Sequence, residues 1–425
     1  MQRKDRRPGD RPPACLKDNR MAEIKAGSGN HIFFHVDVNS AFLSWSALKE
    51  LQNGSEVDLR AIASAVGGDV SKRHGVILAK SPAAKQCGVQ TGESIYSARK
   101  KCPGLVLVSP DFDFYVRNSQ ALMKIMEDFT PDIEQYSIDE AFLDMTGMEQ
   151  LLGPPQVSAK KLADRVRTEL GFTVNIGIST NRLLAKMASD FEKPDRIHTL
   201  FPEEIPEKMW PLPIGDLFRV GGSSVHKLQK LGIYTIGDAA KADRAFLESQ
   251  MGKSGQAIWD YANGIESVPM VRESVKENSV GNSITTSHDI TDREEAETIL
   301  LSLAETVGAR LRYAGKKAGV VTVQLTLSDF RKVSHQMKLD AATSTTDLIY
   351  EAAVVLLHQL WHGEPFRLIG ISAGKAAEES FTQLSLFPDE RQEKLAKLDA
   401  AMDSVRSRYG EKAVMRAKLM RKDRK

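Results

Sequence analysis

Two groups of acidic residues stand inside apolar segments, and they limit what this chain can fold into more than any other feature. Asp37 lies at the end of the apolar run H-I-F-F-H-V-D-V (31–38), and Asp139 and Glu140 lie within S-I-D-E-A-F-L-D (137–144). A charge in a buried strand is costly unless it is paired or binds a metal. Because neighbouring strand residues point to opposite faces, Asp139 and Glu140 reach one site only if the chain bends there. The pattern predicts three carboxylates at one edge of a sheet.

Three converging carboxylates indicate a magnesium site. Mg²⁺ takes oxygen ligands and keeps water or phosphate as its remaining ligands. Two such ions about 3.5–4 Å apart can activate an attacking 3′-hydroxyl and stabilise a leaving pyrophosphate. The alternative is that Asp37 ends a strand and that Asp139 and Glu140 form an ordinary surface turn. We expect the catalytic arrangement, with Asp37, Asp139 and Glu140 as the metal ligands.

The periodicity around the acidic residues predicts an α+β domain. Strands are expected at 31–38, 133–145 and 174–179, and helices at 40–51, 113–129, 158–170 and 181–190. Gly171 suits the left-handed cap that closes a helix. This alternation is typical of a ferredoxin-like antiparallel sheet with helices on one face.

The remaining chain predicts two further domains. Four prolines between residues 202 and 213 mark a boundary, and a compact all-α module covers about 200–270. Residues 274–281 are polar, which indicates a linker. A second α/β domain is expected from 284 to 373. Four residues form a weak helical stripe in the basic tail, namely Leu395, Leu398, Met402 and Val405.

Composition excludes several classes of protein. The chain has 425 residues, and none of its apolar runs is long enough to span a bilayer. Residues 1–30 are basic and proline-rich without an apolar core, so they are not a secretory signal. The cysteines Cys15, Cys87 and Cys102 are odd in number and scattered, which excludes a disulfide framework and a cysteine-rich zinc site. We expect a protein of the reducing cytoplasm, with no membrane partner.

Charge is distributed unevenly along the chain. The net charge of +2 divides into eight Lys/Arg against four Asp/Glu in residues 1–30, twelve against five in 391–425, and 38 against 47 between them. The acidic central part therefore produces no global positive field. If the protein binds nucleic acid, it does so through local patches and backbone amides.

Four motifs, in this order, resemble the Y-family translesion DNA polymerases of the DinB type. They are V-D-V-N-S-A-F (36–42), A-K-S-P-A-A-K-Q-C-G-V (79–89), Y-S-I-D-E-A-F-L-D (136–144) and G-I-S-T-N-R-L-L-A-K-M-A-S-D-F-E-K-P (177–194). The resemblance extends from about residue 31 to about residue 373. It implies a monomeric, Mg²⁺-dependent, low-fidelity DNA polymerase that extends primer–template DNA with dNTPs past lesions.

The resemblance also implies a multidomain right-hand architecture. Its parts would be a basic arm (1–30), a ferredoxin-like palm (31–44 and 113–198), small fingers (45–112), an all-α thumb with a helix-hairpin-helix-like element (199–272), an α/β little finger (273–376) and a tail (377–425). The little finger is the domain with which this family grips DNA.

Individual roles follow from the matched positions. The ligands of two Mg²⁺ ions per active site would be Asp37, the carbonyl oxygen of Val38, Asp139 and Glu140. Phe42 falls on the steric gate beneath the incoming sugar, and Lys85 and Lys186 fall on residues that contact the triphosphate. From the residues alone, the alternative for Phe42 is a core phenylalanine. The alternative for Lys186 is a solvated helix charge, which is the interpretation that this residue by itself favours.

Three positions depart from the family pattern. Pro82 and Lys85 stand where the family usually has Tyr and Arg, both of which touch the triphosphate. Lysine keeps the charge but lacks the bidentate fork, and proline lacks a hydroxyl and a backbone donor. Asn39 replaces a second Asp that is not a required ligand. These departures predict that this chain binds nucleotides more weakly than is usual in the family.

Contacts with DNA are expected in two places. In the thumb, R-V-G-G (219–222) resembles a helix-hairpin-helix turn whose amides at Gly221 and Gly222 bind phosphate, with Arg219 where the first glycine is usual. In the little finger, the expected backbone contacts are Arg310, Arg312, Lys316, Lys317, Arg331 and Lys332. The alternative for this basic cluster is an ordinary solvated surface.

The pentapeptide Q-L-S-L-F (383–387) resembles the motif with which bacterial polymerases bind the sliding clamp, the β subunit. Its contact residues would be Gln383, Leu384, Leu386 and Phe387.

Two other functions stay open, a catalytically silent DNA-binding scaffold and a nucleotidyl cyclase. The intact acidic residues argue against the first, and the thumb, the little finger and the clamp motif argue against the second. Either Met1 or Met21 is the expected start of translation.

Overall fold

The structure is a computed structural model that describes residues 31–68, 75–266, 279–374, 377–378, 390–410 and 412–423. Its strands are β1 (Phe33–Val38), β2 (Ser64–Gly67), β3 (Ile77–Lys80), β4 (Val106–Val108), β5 (Ile133–Gln135), β6 (Glu140–Asp144), β7 (Val174–Ser179), β8 (Ile197–Thr199), β9 (Ser279–Ile290), β10 (Lys316–Leu327), β11 (Lys332–Thr343), β12 (Phe366–Gly374) and β13 (Ala377–Glu378). Its α-helices are α1 (Ala41–Gln52), α2 (Pro82–Gln86), α3 (Ile95–Lys101), α4 (Phe112–Glu127), α5 (Glu149–Leu152), α6 (Pro155–Arg165), α7 (Arg182–Ser189), α8 (Gly222–Lys230), α9 (Ile236–Lys241), α10 (Arg244–Met251), α11 (Lys253–Ala262), α12 (Arg293–Tyr313), α13 (Thr346–Leu360) and α14 (Glu390–Tyr409). None of the helices in these ranges is long and apolar enough to cross a membrane.

Contacts between residues group the chain into two compact units. One comprises Met1–Asn53 and Asp111–Arg272, and the other comprises Gly54–Pro110 and Glu273–Lys425. The first unit contains a five-stranded sheet in the order β5-β6-β1-β7-β8. Its central strand β1 is antiparallel to both β6 and β7, whereas β7 and β8 are parallel. The sheet is therefore mixed and not wholly antiparallel as expected, because α7 connects β7 to β8 as a crossover.

One face of this sheet carries the main core of the first unit. Phe34, Val36 and Ile176 are fully buried there and pack under α1, α4 and α6. Trp45 of α1 is also fully buried in this core. Residues 45–53, which were expected to belong to the fingers, therefore lie with the five-stranded sheet, because the apolar side of α1 has its packing partners there.

Helix α7 covers the opposite face of the sheet, so helices lie on both faces and not on one as expected. The close approach requires glycine at position 177, since a Cβ there would lie 1.9 Å from the carbonyl oxygen of Ala185. Asn181 caps α7 by accepting the amide of Leu184 at 2.8 Å. Gly171 ends the segment after α6 in the left-handed conformation (φ 76°), as expected.

Helices α8 to α11 form an all-α module with a core of its own. Leu228 and Leu247 are fully buried in it. Arg182 of α7 forms ion pairs with Glu134 of β5 and with Glu266, which follows α11. These largely buried pairs attach the all-α module to the sheet.

The second unit contains a small sheet in the order β3-β2-β4, packed against α2 and α3. Ala84, Ile95 and Leu105 are buried in its core. Ser81 caps α2 by accepting the amide of Ala84 at 3.1 Å. Pro82 is the first residue of α2, a position where the amide hydrogen that proline lacks would have no partner inside the helix.

The other large sheet of the second unit is antiparallel, in the order β11-β10-β12-β9. Helices α12 and α13 cover one face through a core that includes Leu300, Val321 and Leu356. The alternate residues of the strands project from the other face, which is polar and accessible. Its exposed members include Gln324, Lys332, Ser334, Gln336 and Lys338. Strand β9 already pairs with β12 at Ser279, so the linker expected at 274–281 extends too far. Some of the polar residues expected in the linker therefore belong to β9, a strand with one solvated face.

Helix α14 attaches to α12 and α13 mainly through ion pairs. Asp399 is 2% exposed and accepts hydrogen bonds from Arg312 of α12 at 3.2 Å and from Arg416 at 3.1 Å. Arg416 also pairs with Asp347 of α13 at 2.8 Å. The apolar stripe expected in this helix contributes less to the attachment than the ion pairs do, since one of its members, Leu398, is 47% exposed. The arm at 1–30 and the motif at 383–387 lie outside the described residues.

Candidate active site

Two of the predicted metal ligands lie opposite each other in the palm sheet. In the antiparallel pair β1–β6, Asp37 is the partner of Glu140, and opposed residues project from the same face. Asp139 precedes β6, in a bend over residues 137–139. Its carboxylate accepts a hydrogen bond from the Ser137 hydroxyl at 2.6 Å. The bend that the sequence requires is present, and the three acidic residues come from adjoining positions of two strands.

Val38, the residue expected to contribute a carbonyl oxygen, ends β1 beside Asp139. Its amide donates to the carbonyl oxygen of Asp139 at 3.0 Å. The next residue, Asn39, is buried, and its side chain donates to the hydroxyl of Thr173 at 3.1 Å. The two residues that follow Asp37 are thus hydrogen-bonded to the segments that precede β6 and β7.

Two lysines bind the carboxylates. Lys193 forms an ion pair with Asp37 and another with Asp190 at 2.8 Å. Lys186 lies 3.0 Å from Oε2 of Glu140. Sequence analysis missed Lys193, although it belongs to the K-P end of the motif at 177–194. The motif contained this lysine, but only the fold shows that its side chain reaches Asp37 at the end of β1.

The two opposed carboxyl groups have shifted pKa values in opposite directions. Burial raises the pKa of Asp37 to about 6 against the opposing effect of Lys193, with smaller contributions in the same direction from the charges of Glu140 and Asp139. Burial alone would also raise the pKa of Glu140. Its contact with His35 and the charge of Lys186 outweigh burial and lower that pKa to about 2. Asp37 therefore carries a negative charge that its surroundings compensate poorly.

The site suits a divalent cation that also binds the substrate. Within the described ranges, no group of three or more His, Cys, Asp or Glu side chains is placed so that it could hold a metal ion by itself. Asp37 and Glu140 instead point towards lysines. Mg²⁺ needs only part of its oxygen ligands from protein and takes the others from water and phosphate. The poorly compensated charge at Asp37 is the kind that such an ion would neutralise, so the residues fit the metal.

Lys186 is enclosed, and it is not the solvated helix charge considered above. It is 9% exposed, and its ammonium lies 5.8 Å from the ring centroid of Tyr136 and 5.7 Å from that of Phe218. The side chain of Lys193 is more accessible, at 37%. Of these two lysines, Lys193 is the one with room to reach a ligand.

Phe42 is the second residue of α1, and its orientation is fixed by aromatic contacts. Its ring stacks on Tyr115 with centroids 4.8 Å apart and an angle of 11°, and meets the edge of Phe112 at 6.0 Å. Tyr115 is fully buried, and its hydroxyl forms a 2.6 Å hydrogen bond with Ser46. Phe42 is only partly buried, so part of this side chain stays accessible.

Comparison with known proteins identifies the family of this chain. The sequence profile of the impB/mucB/samB family matches residues 36–190, and the profile of that family's C-terminal domain matches 277–386. A DNA polymerase IV of Clostridium acetobutylicum is 46% identical over 395 residues, which are 93% of this chain and 99% of the relative. A DNA polymerase IV of Clostridium kluyveri is 35% identical over 405 residues, 93% of this chain and 100% of the relative.

The chain belongs to the impB/mucB/samB family. A solved Y-family DNA polymerase chimera, Dbh-Dpo4(243-245)-Dbh, shares its fold with a TM-score of 0.70 at 21% sequence identity, covering 82% of this chain and 100% of that chain. The predictions of a Y-family polymerase of the DinB type and of a multidomain right-hand fold are confirmed.

In the segment expected to be the thumb, the backbone at Arg219, just before α8, adopts a conformation that glycine takes more readily than other residues. Arg219 has φ 64°, in the left-handed region that costs a side-chain-bearing residue about 1–2 kcal/mol. Gly221 caps α8 without any side-chain hydrogen bond, and added Cβ atoms at Gly221 and Gly222 would have nothing within 4 Å. The first amides of α8 are therefore accessible, as binding of a phosphate requires.

In the little finger, the six predicted DNA contacts do not form one surface. Arg312 is bound to Asp399 and Asp403 and is largely buried, so it stabilises the tail helix. Arg310 also lies on α12, on the helical side of the sheet. Lys332 projects from the open sheet face, while Lys316, Lys317 and Arg331 lie near the strand ends. Arg331 is paired with Asp329 at 2.6 Å.

In the fingers, Lys85 lies exposed in the last turn of α2. A second lysine, which the sequence analysis missed, is close to it. The pKa of Lys80 is lowered, first by partial burial and then by the positive charge of Lys85. Lys80 donates to the Thr91 hydroxyl at 3.1 Å. The fingers thus hold two neighbouring cations on either side of Pro82.

Asp37 makes the stability of the metal-free protein depend on pH. Because its folded-state pKa of about 6 lies above its ordinary value, the folded protein keeps this proton longer than the unfolded chain, and stability falls as pH rises from about 4 to 6. Asp37→Asn should therefore stabilise the metal-free protein at pH 8 by up to about 3 kcal/mol and have little effect at pH 4. Urea unfolding at both values measures this.

The matched control is Asp190→Asn, which removes the other partner of Lys193 and leaves the buried charge in place. It should give no gain in stability at pH 8. An Asp37→Asn variant that is destabilised equally at both pH values would contradict the account.

The left-handed backbone at Arg219 makes a second prediction. Arg219→Gly and Arg219→Ala both remove the guanidinium, which lies 5.3 Å from the ring of Phe218, but only glycine relieves the strain. The glycine variant should be the more stable by about 1 kcal/mol in denaturant unfolding. Both variants should bind primer–template DNA more weakly, with the salt dependence reduced by about one phosphate contact. Equal stability of the two variants would show that the backbone there is unstrained.

Proposed function

We propose that this chain is a DNA-directed DNA polymerase that carries out low-fidelity translesion synthesis on primer–template DNA by two-metal-ion nucleotidyl transfer. The observation that carries the proposal is the register of β1 and β6, which opposes Asp37 to Glu140 next to Asp139. The family membership and the DNA polymerase IV relatives support it across the length of the chain.

The cofactor of this reaction would be two Mg²⁺ ions held by Asp37, the carbonyl oxygen of Val38, Asp139 and Glu140. When bound, the ions supply activation of the primer 3′-hydroxyl and charge stabilisation at the leaving pyrophosphate. The bend at residues 137–139 lets the two adjacent acidic residues serve one site, and the hydrogen bond from Ser137 orients Asp139.

Lysines would bind the triphosphate of the incoming dNTP. Lys193 is the stronger palm candidate, because it is accessible and already binds a carboxylate, whereas Lys186 is enclosed and holds Glu140. In the fingers, Lys85 would contribute a charge without the fork of the usual arginine. Its neighbour Lys80 would supply part of what Pro82 and Lys85 lose.

Contacts with DNA would come from thumb amides and from the little finger. The accessible first amides of α8 at Gly221 and Gly222 suit a backbone phosphate, with Arg219 beside them. In the little finger we assign backbone contacts to Lys332 and the polar sheet face around it. Arg310, Lys316, Lys317 and Arg331 remain peripheral candidates, and Arg312 is left out because its guanidinium is bound to two carboxylates.

A sliding clamp would hold the polymerase on DNA through Gln383, Leu384, Leu386 and Phe387. This assignment rests on the sequence Q-L-S-L-F alone. The polymerase itself would act as a monomer in the cytoplasm, and the clamp would raise its local concentration at the primer end without adding a catalytic contact.

Removing a catalytic carboxylate should abolish synthesis and spare DNA binding. Asp139→Ala or Glu140→Ala should lower single-nucleotide insertion by at least about 10²–10³-fold, since charge stabilisation supplies most of the rate. Primer-extension assays on undamaged and lesion-bearing templates, with DNA affinity measured in parallel, test this. The control is Asp144→Asn, an acidic residue at the far end of β6 that should remain active. Near-normal insertion by either alanine variant would refute the proposed active site.

Phe42→Ala should admit ribonucleotides, because the ring leaves no room for a 2′-hydroxyl. If Phe42 were mainly a core residue, the same change would instead cost about 3–5 kcal/mol of stability without changing sugar selectivity. Insertion of rNTP and dNTP and the melting temperature are measured together. Phe114→Ala, an adjacent aromatic of α4, is the control and should keep the selectivity of the parent protein.

Leu386→Ala with Phe387→Ala should remove stimulation by the clamp and leave unassisted insertion intact. Burying such side chains contributes roughly 1.5–3 kcal/mol each before ordering costs, which gives about micromolar affinity. Titration calorimetry with the organism's clamp measures it. Leu398→Ala changes an exposed leucine outside the motif and should bind normally. Equal affinity of the double variant and the parent would show that clamp docking occurs elsewhere.

A further inference from the structure

Two aromatic rings face the lysine that binds Glu140. The ammonium of Lys186 lies 3.0 Å from Oε2 of Glu140, 5.8 Å from the ring centroid of Tyr136 and 5.7 Å from that of Phe218. Both ring distances lie within the range of about 6 Å over which an aromatic face attracts a cation. The two rings therefore favour the same ammonium position that the carboxylate favours.

These two rings come from different parts of the first unit. Tyr136 lies between β5 and β6, and its amide donates to the carbonyl oxygen of Glu140 at 3.0 Å. Phe218 lies just before α8 and packs against the core of the all-α module. Its ring centroid is 6.2 Å from that of Tyr136 and 6.4 Å from that of Tyr261 in α11, on which it stacks at 24°. The all-α module thus places one side chain against the lysine that binds Glu140.

A lysine side chain needs such support to occupy a single position. Its stem is flexible, and its ammonium is a point charge without a preferred direction. A contact with Glu140 alone leaves the stem free to swing, whereas two ring faces beside that contact restrict it. Leucine at position 218 would fill similar space but would lack the negative face of an aromatic ring. The attraction of Lys186 to Phe218 can therefore be separated from packing.

Phe218 also has a second possible role, because it adjoins the expected DNA-binding hairpin. The guanidinium of Arg219 lies 5.3 Å from the centroid of the Phe218 ring. The accessible amides at Gly221 and Gly222 follow in the chain. A residue that only supported this hairpin would affect the binding of primer–template. A residue that positions Lys186 would instead affect nucleotide insertion by the bound enzyme.

We propose that Phe218 is a positioning residue for nucleotide insertion: its ring, together with that of Tyr136, holds the ammonium of Lys186 on Glu140. Lys186 in turn neutralises and orients the carboxylate, and Lys193 is left as the more accessible lysine for the triphosphate. The inference rests on the proposed function, because it assumes that Glu140 takes part in nucleotide insertion.

Two substitutions separate the aromatic face of Phe218 from its bulk. Phe218→Tyr keeps the face, and Phe218→Leu fills the position without one. The first measurement is the labelling rate of Lys186 in the metal-free protein with a trace of an amine-acylating reagent, quantified by peptide mass spectrometry. Labelling should be several-fold faster in Phe218→Leu and should stay within about two-fold of the parent in Phe218→Tyr. The control is Phe246→Leu, which changes an exposed aromatic residue of α10 and should leave this rate unchanged.

The second measurement is the rate of single-nucleotide insertion by enzyme that is already bound to primer–template. Phe218→Leu should lower this rate about 2–30-fold, which corresponds to losing a cation–π contact of about 0.5–2 kcal/mol at 1.4 kcal/mol per tenfold. Phe218→Tyr should restore it. In a Lys186→Met background, Phe218→Leu should cause no further loss, because the ring then has no ammonium to hold. The affinity of Phe218→Leu for primer–template should stay near that of the parent.

Three outcomes would overturn the inference. They are equal effects of the tyrosine and leucine variants, additive losses from Phe218→Leu and Lys186→Met, and a loss in Phe218→Leu that appears only in the affinity for primer–template. If Phe218→Leu does not fold, ring-fluorinated phenylalanines at position 218 decide the matter, since they keep the shape while increasing fluorine content weakens the attraction. Insertion should then fall stepwise with fluorine content, and a constant rate would refute the role.

Failure of the proposed function would look different. The parent protein itself would then insert no nucleotide, while the labelling of Lys186 would still distinguish Phe218→Leu from Phe218→Tyr.

Discussion

The antiparallel register of β1 and β6 is the constraint on which the rest of the active site depends. It opposes Asp37 to Glu140, and the alternation of a strand then places both on the face away from the main core. A shift of β1 by one residue would turn Asp37 into that core, where an unpaired charge is prohibitive. The buried apolar residues of β1, such as Phe34 and Val36, therefore fix the catalytic geometry as well as the fold.

Lysines compensate the carboxylates in the structure described here. Lys193 binds Asp37, Lys186 binds Glu140, and His35 stands behind the second pair. The raised pKa of Asp37 shows that this compensation is incomplete. If a metal ion takes the place of Lys193 at Asp37, as the proposed function requires, the released ammonium of Lys193 would be available to the phosphates that arrive with the metal.

Features that depend on the local residue pattern could be predicted from the sequence. Features that depend on contacts between residues far apart in the chain could not. Carboxylates inside apolar strands predicted the sheet edge, and the need for a bend at Asp139 followed from strand alternation alone. The helix expected at 181–190 is present as α7, but its position on the second face of the sheet was missed, because it depends on the space left by Gly177. Arg312 looked like a DNA contact because its partners Asp399 and Asp403 are 87 and 91 residues away in the chain. Burial of a charge between distant segments leaves no short-range signal.

The central claim is that Asp37, Asp139 and Glu140 jointly bind divalent cations when substrate is present. Anomalous diffraction from a crystal of the protein with primer–template, a non-hydrolysable dNTP and Mn²⁺ tests it most directly. The account predicts manganese peaks bounded by the three carboxylates and the triphosphate, with Lys193 released from Asp37. A fully occupied dNTP site without manganese at these residues, and with Lys193 still bound to Asp37, would contradict it.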